Sequence, residues 1–230
     1  PDNATTINDS LYVNYFKVDN ADSIALGNTG AFFGNDENLI LELTSSDSAV
    51  KNLDFTDGVF DGSLVVTQTG DNGIGDIIFN SDDVVGSLTV TESGDGSIGN
   101  IDMSSTDASL GVKISESYAG SIDTLKFAAI GDTGLDIDVL EADVTDSLAF
   151  DSLLFTAGKT VAGIDILANS ANSAIPQFTF EGTLGGNMSV VAETGNVDSI
   201  TIAGGSTITG SVVITDSITT GETTLTVGDS

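Results

Sequence analysis

The sequence predicts an all-β protein, a parallel β-helix (β-solenoid) of about eight coils with roughly 24 residues per coil. Three observations support this fold: a near-constant internal repeat, apolar residues two positions apart in each copy, and many β-branched and turn-forming residues. The two clearest copies begin at Gly62 and Gly86. They read GSLVVTQTGDNGIGDIIFNSDDVV and GSLTVTESGDGSIGNIDMSSTDASL.

Each copy begins with a pair of apolar residues two positions apart, the spacing at which side chains of a strand face the same side. Successive pairs follow at intervals of 24 to 27 residues. We therefore assign one strand of each coil to these pairs. They are Leu39/Leu41, Leu64/Val66, Leu88/Val90, Val112/Ile114, Ile137/Val139, Ile164/Ile166, Met188/Val190 and Val212/Ile214.

A second apolar group in most copies predicts a second strand, and a shorter apolar element predicts a stub between copies. A glycine precedes the first strand, as expected at a corner where a Cβ atom does not fit. The second group comprises Val50–Leu53–Phe55, Ile74–Ile77–Phe79, Ile98–Ile101–Met103, Ile122–Leu125–Phe127, Ile175–Phe178–Phe180 and Val197–Ile200–Ile202. The stub contains Val59/Phe60, Val84/Val85, Leu110, Val161, Leu184 and Ile208, and the corner glycines are 62, 86, 111, 163, 186 and 210.

A β-sandwich or a two-domain all-β arrangement is the alternative fold, because sandwiches also contain short strands and frequent turns. A sandwich gives no reason for a constant period with matching residue types. In a solenoid, by contrast, coils stack about 4.8 Å apart, so equivalent side chains form ladders. The solenoid explains why Leu64 and Leu88, or Phe79 and Phe127, recur at equivalent positions.

The repeat divides the chain into two parts. Residues 1–37 fit the pattern poorly and are assigned to an irregular N-terminal coil or cap, and residues 38–230 to the solenoid. The chain begins at Pro1 rather than Met, which suggests processing, and the last strand pattern lies close to Ser230. We expect the stack to continue beyond this end or to be covered from outside, because an open coil exposes strand edges.

The composition argues against catalysis, so we expect a protein that is not an enzyme. Cys, His, Trp and Arg are absent, and the five basic residues are all lysines. Thiol nucleophiles, zinc–thiolate sites, the commonest general base and the bidentate phosphate clamp are therefore excluded. Paired carboxylates can hydrolyse glycosides. The acidic pairs here lie in predicted turns, and nothing in the sequence separates their pKa values.

The formal net charge of −30 limits the partners of the chain. A polyanion repels nucleic acid and anionic membrane surfaces, so we expect no nucleic-acid binding. No apolar run approaches the ~20 residues of a membrane span, so we expect no membrane insertion. Acidic loops attract divalent cations, and Ca²⁺ prefers oxygen ligands. Ca²⁺ is therefore the expected cofactor.

Acidic loops at equivalent positions of neighbouring copies are the candidate calcium sites. Residues 24 apart are expected to stack, as for Asp71 with Asp95 and Asp76 with Asn100, and positions 52, 76 and 100 are expected to form a polar column. The alternative is that Asp, Asn and Gly serve only as turn formers. The candidate ligands are Asp71, Asp76, Asp82, Asp83, Asp95, Asn100, Asp132 and Asp136.

The repeat template, Gly–Ser–Leu–x–Val followed by Ile–x–x–Ile–x–Phe, resembles bacterial surface-layer (S-layer) proteins. The resemblance is to the secreted, calcium-dependent type associated with RTX repeats and type I secretion, and it covers roughly residues 38–227. It implies an extracellular, cell-surface location and self-assembly into a lattice with Ca²⁺. The implied partners are the protein itself or adjacent domains of the same chain, with anchoring to cell-surface polysaccharide through another domain.

Two other functions compete with the surface-layer function. The chain could be a stalk or passenger segment of a large secreted adhesin, which presents a distant binding domain. Frequent threonines also raise an ice- or surface-binding function, but no strict Thr–x–Thr column runs over the coils.

Overall fold

The computed structural model describes residues 4–7, 15–18, 23–26, 32–43, 50–56, 59–81, 83–117, 120–140, 149–169, 174–193, 195–216 and 223–228. All regular structure in these ranges is β-strand. No helix long and apolar enough to cross a membrane is present in this part of the chain.

Within the described ranges, twenty-two strands follow one another. They are β1 (Ala4–Ile7), β2 (Tyr15–Val18), β3 (Ser23–Leu26), β4 (Phe32–Leu43), β5 (Val50–Asp54), β6 (Val59–Gln68), β7 (Ile77–Ile78), β8 (Val84–Glu92), β9 (Ile101–Met103), β10 (Ala108–Glu116), β11 (Thr124–Phe127), β12 (Leu135–Val139), β13 (Ser152–Phe155), β14 (Lys159–Val161), β15 (Ile164–Ala168), β16 (Phe178–Phe180), β17 (Gly182–Leu184), β18 (Met188–Ala192), β19 (Ser199–Ile202), β20 (Thr207–Ile208), β21 (Val212–Asp216) and β22 (Thr224–Val227).

The described strands form three sheets, and the strands within them pair in parallel. One sheet has ten strands in the order β1-β3-β5-β7-β9-β11-β13-β16-β19-β22, a second has nine in the order β2-β4-β6-β8-β10-β12-β15-β18-β21, and a third has three in the order β14-β17-β20. Each strand pairs with its counterpart about one repeat away, so the chain winds as a solenoid. The expected solenoid fold is confirmed. The two main sheets contain ten and nine strands, which differs slightly from the eight coils expected.

The third face of the solenoid changes its construction along the stack. In the N-terminal half, β6, β8 and β10 each cover two faces of the solenoid: the first residues of the strand form the third face, and the later residues join the nine-stranded sheet. A shift in register separates the two parts, as between Ala108 and Gly111. Bridges from Ala108 to Ile130 and from Ile130 to Val161 then lead to the separate sheet β14-β17-β20. The expected stub is therefore a third face of the coils described between Phe32 and Ile208.

Inward side chains form continuous apolar ladders. Leu64 pairs in register with Leu88, and Leu88 with Val112, and all three side chains are at most 2% exposed. Burial alternates along the strands, as in β12 and β18, which confirms that one face of each strand points into the core.

Aromatic rings stack in the column that the sequence predicted. The rings of Phe55 and Phe79 lie 4.9 Å apart at an interplanar angle of 12°. Met103 continues the column to Phe127, and Phe155 follows in the next coil. Offset-stacked rings add about 0.5–1.5 kcal/mol per pair beyond the burial of their area.

Two sequence assignments are corrected by the register. Val112 pairs with Leu135 and Ile114 with Ile137, so the first pair of this coil is Leu135/Ile137 rather than Ile137/Val139. Leu135, Ile137 and Val139 are all buried, so the apolar pattern alone does not distinguish a shift of two residues. Leu110 is 49% exposed, and Ala108 takes the inward stub position instead.

The corner glycines are needed where neighbouring backbones come close. Gly111 has a φ of +147°, and a Cβ atom there would collide with the Thr133 hydroxyl. At Gly210, a Cβ atom would collide with the carbonyl oxygen of Gly186. These contacts agree with the predicted role of glycine at the corner before the first strand.

Candidate functional site

Asp71 and Asp95 lie at the same corner of successive coils, as the repeat predicted. Gln68 pairs with Glu92 before them, and Ile74 bridges to Ile98 after them, so the two aspartates occupy equivalent positions. Both are exposed. They line a groove of about 880 Å³ together with Val50, Asn52, Asn72, Ile74, Gly75, Gly96, Ser97, Gly99 and Asp123.

The groove carries a concentration of negative charge. Asp123 lies on its wall, and burial, together with the charges of Asp151 and Asp76, raises the pKa of its carboxyl above the ordinary value. Carboxylate and amide oxygens at such a corner are ligand types that Ca²⁺ accepts. Of the expected ligands, Asp71 and Asp95 are the two that this groove brings to one exposed surface.

Asp76 and Asn100 stack as expected, but they bond directly to each other. The Asp76 Oδ1 atom accepts hydrogen bonds from the backbone N–H and the side-chain Nδ2 of Asn100, both at 2.9 Å. The Oδ1 atom of Asn100 then accepts the backbone N–H of Thr124 at 3.3 Å, and the Ser152 and Thr124 hydroxyls are 3.1 Å apart. These residues form a polar ladder across four coils, which accounts for their side chains without a metal.

Asp83 is a buried turn residue. Asp83 is 6% exposed. Its two carboxylate oxygens accept hydrogen bonds from the backbone N–H groups of Phe60 at 2.6 Å and Asn80 at 2.7 Å. These bonds join two coils, so the carboxylate acts as a structural acceptor. Asp82, beside it, lies outside the described residues.

Asp132 and Asp136 lie away from the groove. Asp132 is exposed in the turn before β12, and the Asp136 carboxylate bonds to Lys113. Among the residues with described positions, no group of three or more His, Cys, Asp or Glu side chains is placed to hold a metal ion. The expected ligands therefore do not gather into one site: only Asp71 and Asp95 share the groove, and Asp76 and Asn100 share the ladder.

The lysines with described contacts are used inside the chain. Lys113 lies between Asp136 and Asp138 of the next coil, Lys126 bonds Asp102 at 2.9 Å, and Lys159 bonds Asp107 at 3.1 Å. Each pair crosses from one coil to another. These three lysines thus add contacts between coils.

A buried polar column with two carboxyl groups was not predicted from the sequence. Gln68, Glu92 and Glu116 pair in register and are each 0% exposed. Burial raises the pKa of Glu92 to about 8. The signal was present in the sequence, because each of the three stands two positions after an inward Val66, Val90 or Ile114. The rule that charged residues are rarely fully buried argues against an inward glutamate at these positions.

Comparison with known proteins adds no assignment to this picture. No family model matches the sequence, no curated protein is detectably similar to it, and no solved structure matches it.

Proposed function

We propose that this chain is a structural building block of a bacterial cell-surface layer, located outside the cell and self-assembling with Ca²⁺. It has no catalytic role in this proposal. Its partners are copies of itself or adjacent domains of its own chain, and another domain attaches the assembly to cell-surface polysaccharide.

The observation that carries the proposal is the distribution of charge over a continuous stack. The described contacts of Lys113, Lys126 and Lys159 are all with aspartates of the same chain, whereas the formal net charge is −30. Two such surfaces repel each other unless cations lie between them. Divalent cations bound by surface carboxylates meet this requirement, which favours assembly that depends on Ca²⁺.

The shape of the sheets supports a spacing role. A nine-stranded parallel sheet with strands ~4.8 Å apart spans about 40 Å. Side-chain ladders and inter-coil ion pairs hold successive coils in fixed register. A body of this kind is suited to set a constant distance between two contact points.

The corner groove is the proposed place of Ca²⁺ in the assembly. Ca²⁺ takes six to eight oxygen ligands, and Asp71 and Asp95 supply only some of them. Their exposure leaves room for water and for carboxylates of a neighbouring molecule. We propose that the groove contributes part of an intermolecular calcium site.

Negative-stain imaging and light scattering of the full chain, with millimolar Ca²⁺ or with EDTA, test the proposal. We expect ordered arrays with Ca²⁺ and dispersed particles with EDTA. The double variant Asp71→Asn/Asp95→Asn should need more Ca²⁺ to assemble. The matched control Asp165→Asn/Glu181→Gln removes two charges from exposed positions outside the groove and should assemble like wild type.

Isolated rods at every Ca²⁺ concentration would contradict lattice formation. They would favour the second candidate function, a stalk segment of a large secreted adhesin. The same inter-coil ladders support that function, because a stalk needs rigidity but no self-association.

A further inference from the structure

The buried column formed by Gln68, Glu92 and Glu116 lies at the ends of β6, β8 and β10. Gln68 pairs in register with Glu92, and Glu92 with Glu116, so the side chains stack in three successive coils. All three are 0% exposed. Two carboxyl groups therefore lie inside the solenoid, one strand spacing apart, about 4.8 Å in a regular sheet.

The surroundings of Glu92 supply little compensation for a negative charge. Its Oε1 atom accepts the backbone N–H of Gly94 at 2.8 Å, whereas its Oε2 atom is buried and has no hydrogen-bond partner among the described residues. The charged groups that act on it, Glu116, Asp95 and Asp71, are all acidic.

No described lysine supplies the missing positive charge. Lys113, Lys126 and Lys159 each bond to surface aspartates of adjoining coils. Two ionised carboxylates in this position would face a large desolvation cost and mutual repulsion.

We propose that Glu92 and Glu116 form a buried proton-binding pair, which retains a proton at neutral pH and makes the stability of the middle coils depend on the external pH. The proton is exchanged with solvent water, and no other reactant is involved. The proposal is independent of the surface-layer role and of calcium.

A bound cation explains the column less well than a proton. Ca²⁺ needs six to eight oxygens, and the described residues include no group of three or more acidic, His or Cys side chains placed around a metal. Gln68 also occupies the same column, which shows that an uncharged amide is accommodated there.

The sign of the pH dependence follows from the direction of the shift. Burial, opposed by the Gly94 N–H and reinforced by the charges of Glu116, Asp95 and Asp71, raises the pKa of Glu92 from 4.5 to about 8. The folded chain therefore binds more protons than the unfolded chain between these values. The stability that the protonated Glu92 contributes is fully present below pH 4.5, decreases as the pH rises towards 8, and is lost above that value.

The composition leaves few other groups that titrate in the pH range where the buried pair is expected to lose its proton. His and Cys are absent, and ordinary carboxylates titrate near pH 4. Apart from the chain terminus, few groups other than the buried pair change charge between about pH 6 and pH 9.

Thermal unfolding of the full chain in EDTA, measured by circular dichroism from pH 5 to pH 9 and repeated in millimolar Ca²⁺, tests the proposal. The wild-type melting temperature should fall by an amount on the order of 10 °C between pH 5 and pH 8. Glu92→Gln should melt above wild type at pH 8 and lose most of the decrease. Glu116→Gln should show a smaller decrease, and Glu181→Gln, at an exposed position, should follow wild type.

Three outcomes would overturn the proposal. The first is a wild-type melting temperature that stays constant from pH 5 to pH 9. The second is a Glu92→Gln variant that melts below wild type at pH 8 or does not fold, because an isosteric amide should relieve the buried charge. The third is a Ca²⁺-induced rise in melting temperature that Glu92→Gln abolishes and Glu181→Gln retains, which would place a cation at the pair.

Discussion

Asn100 donates two hydrogen bonds, from its backbone and from its side chain, to a single carboxylate oxygen of Asp76, which lies 24 residues earlier in the chain. The pair crosses between coils at a position where both side chains are half-buried. Hydrogen bonds to a charged group contribute about 1.5–3 kcal/mol each when formed away from bulk water. This contact therefore fixes the stacking of two coils.

Replacing Asn100 by Asp should convert this contact into a repulsion. Two carboxylates would face each other, so we expect Asn100→Asp to lower the free energy of unfolding by about 2 kcal/mol at pH 7. Part of the loss should be recovered at acidic pH, because protonation of a carboxyl removes like-charge repulsion. Urea unfolding at the two pH values measures this, with Asn100→Ala as the variant that removes the bonds without adding charge. An equal loss at both pH values would contradict the repulsion.

Replacing Val90 by Asp should unfold several coils together. Val90 is 0% exposed and pairs with Val66 on one side and Ile114 on the other. A buried charge without a partner costs several kcal/mol, and neighbouring coils share one core. Thr89→Asp is the matched control, because residue 89 faces outward beside Lys113. Circular dichroism and limited proteolysis should show loss of structure only for Val90→Asp.

Removal of the Lys126–Asp102 ion pair should have a small, pH-dependent effect. Although burial opposes it, hydrogen bonds from Ser104 and Lys126 lower the pKa of Asp102. A lowered folded-state pKa contributes stability above the ordinary value of 3.8, and this contribution is lost as the pH falls. Lys126→Met should therefore cost about 0.2–1 kcal/mol at pH 7 and less as the pH falls below 3.8. A cost that is independent of pH would assign the effect to packing of the lysine stem.

Calcium should raise the melting temperature of the folded chain. An ion that binds only the folded form stabilises it by about 2.7 kcal/mol at a hundredfold excess over its dissociation constant. We expect the rise to shrink in Asp71→Asn/Asp95→Asn and to persist in Asp165→Asn/Glu181→Gln. Scanning calorimetry in EDTA and in millimolar Ca²⁺ measures it. Identical melts for wild type would leave the groove acids as solubilising surface.

The sequence predicted the stacking of coils because the ladders repeat in kind and spacing. The spacing of 24 residues between Leu64 and Leu88 appears unchanged in the register, as does the pairing of Ile74 with Ile98. It did not predict the register of Leu135, because three successive inward positions are apolar and a shift of two preserves burial.

The candidate site was harder to predict than the fold. Stacking of Asp71 over Asp95 followed from the repeat, but the bonds of Asp83 to Phe60 and Asn80 depend on the course of a corner. The period of two does place Glu92 inward after Leu88 and Val90, and the general rule that charges lie outside outweighed it. Local composition therefore indicates acidic positions without telling a ligand from a structural acceptor.

Each described strand of the two main sheets pairs with strands of the adjacent coils, so a terminal coil can detach without disturbing distant coils. Tension applied to its C-terminal end should release one coil at a time, and each event should free about 24 residues, or roughly 80 Å of extended chain. Single-molecule pulling should record these regular steps, with extra force needed where Lys113, Lys126 or Lys159 joins two turns. The molecule would then extend stepwise under load and dissipate mechanical energy at each step.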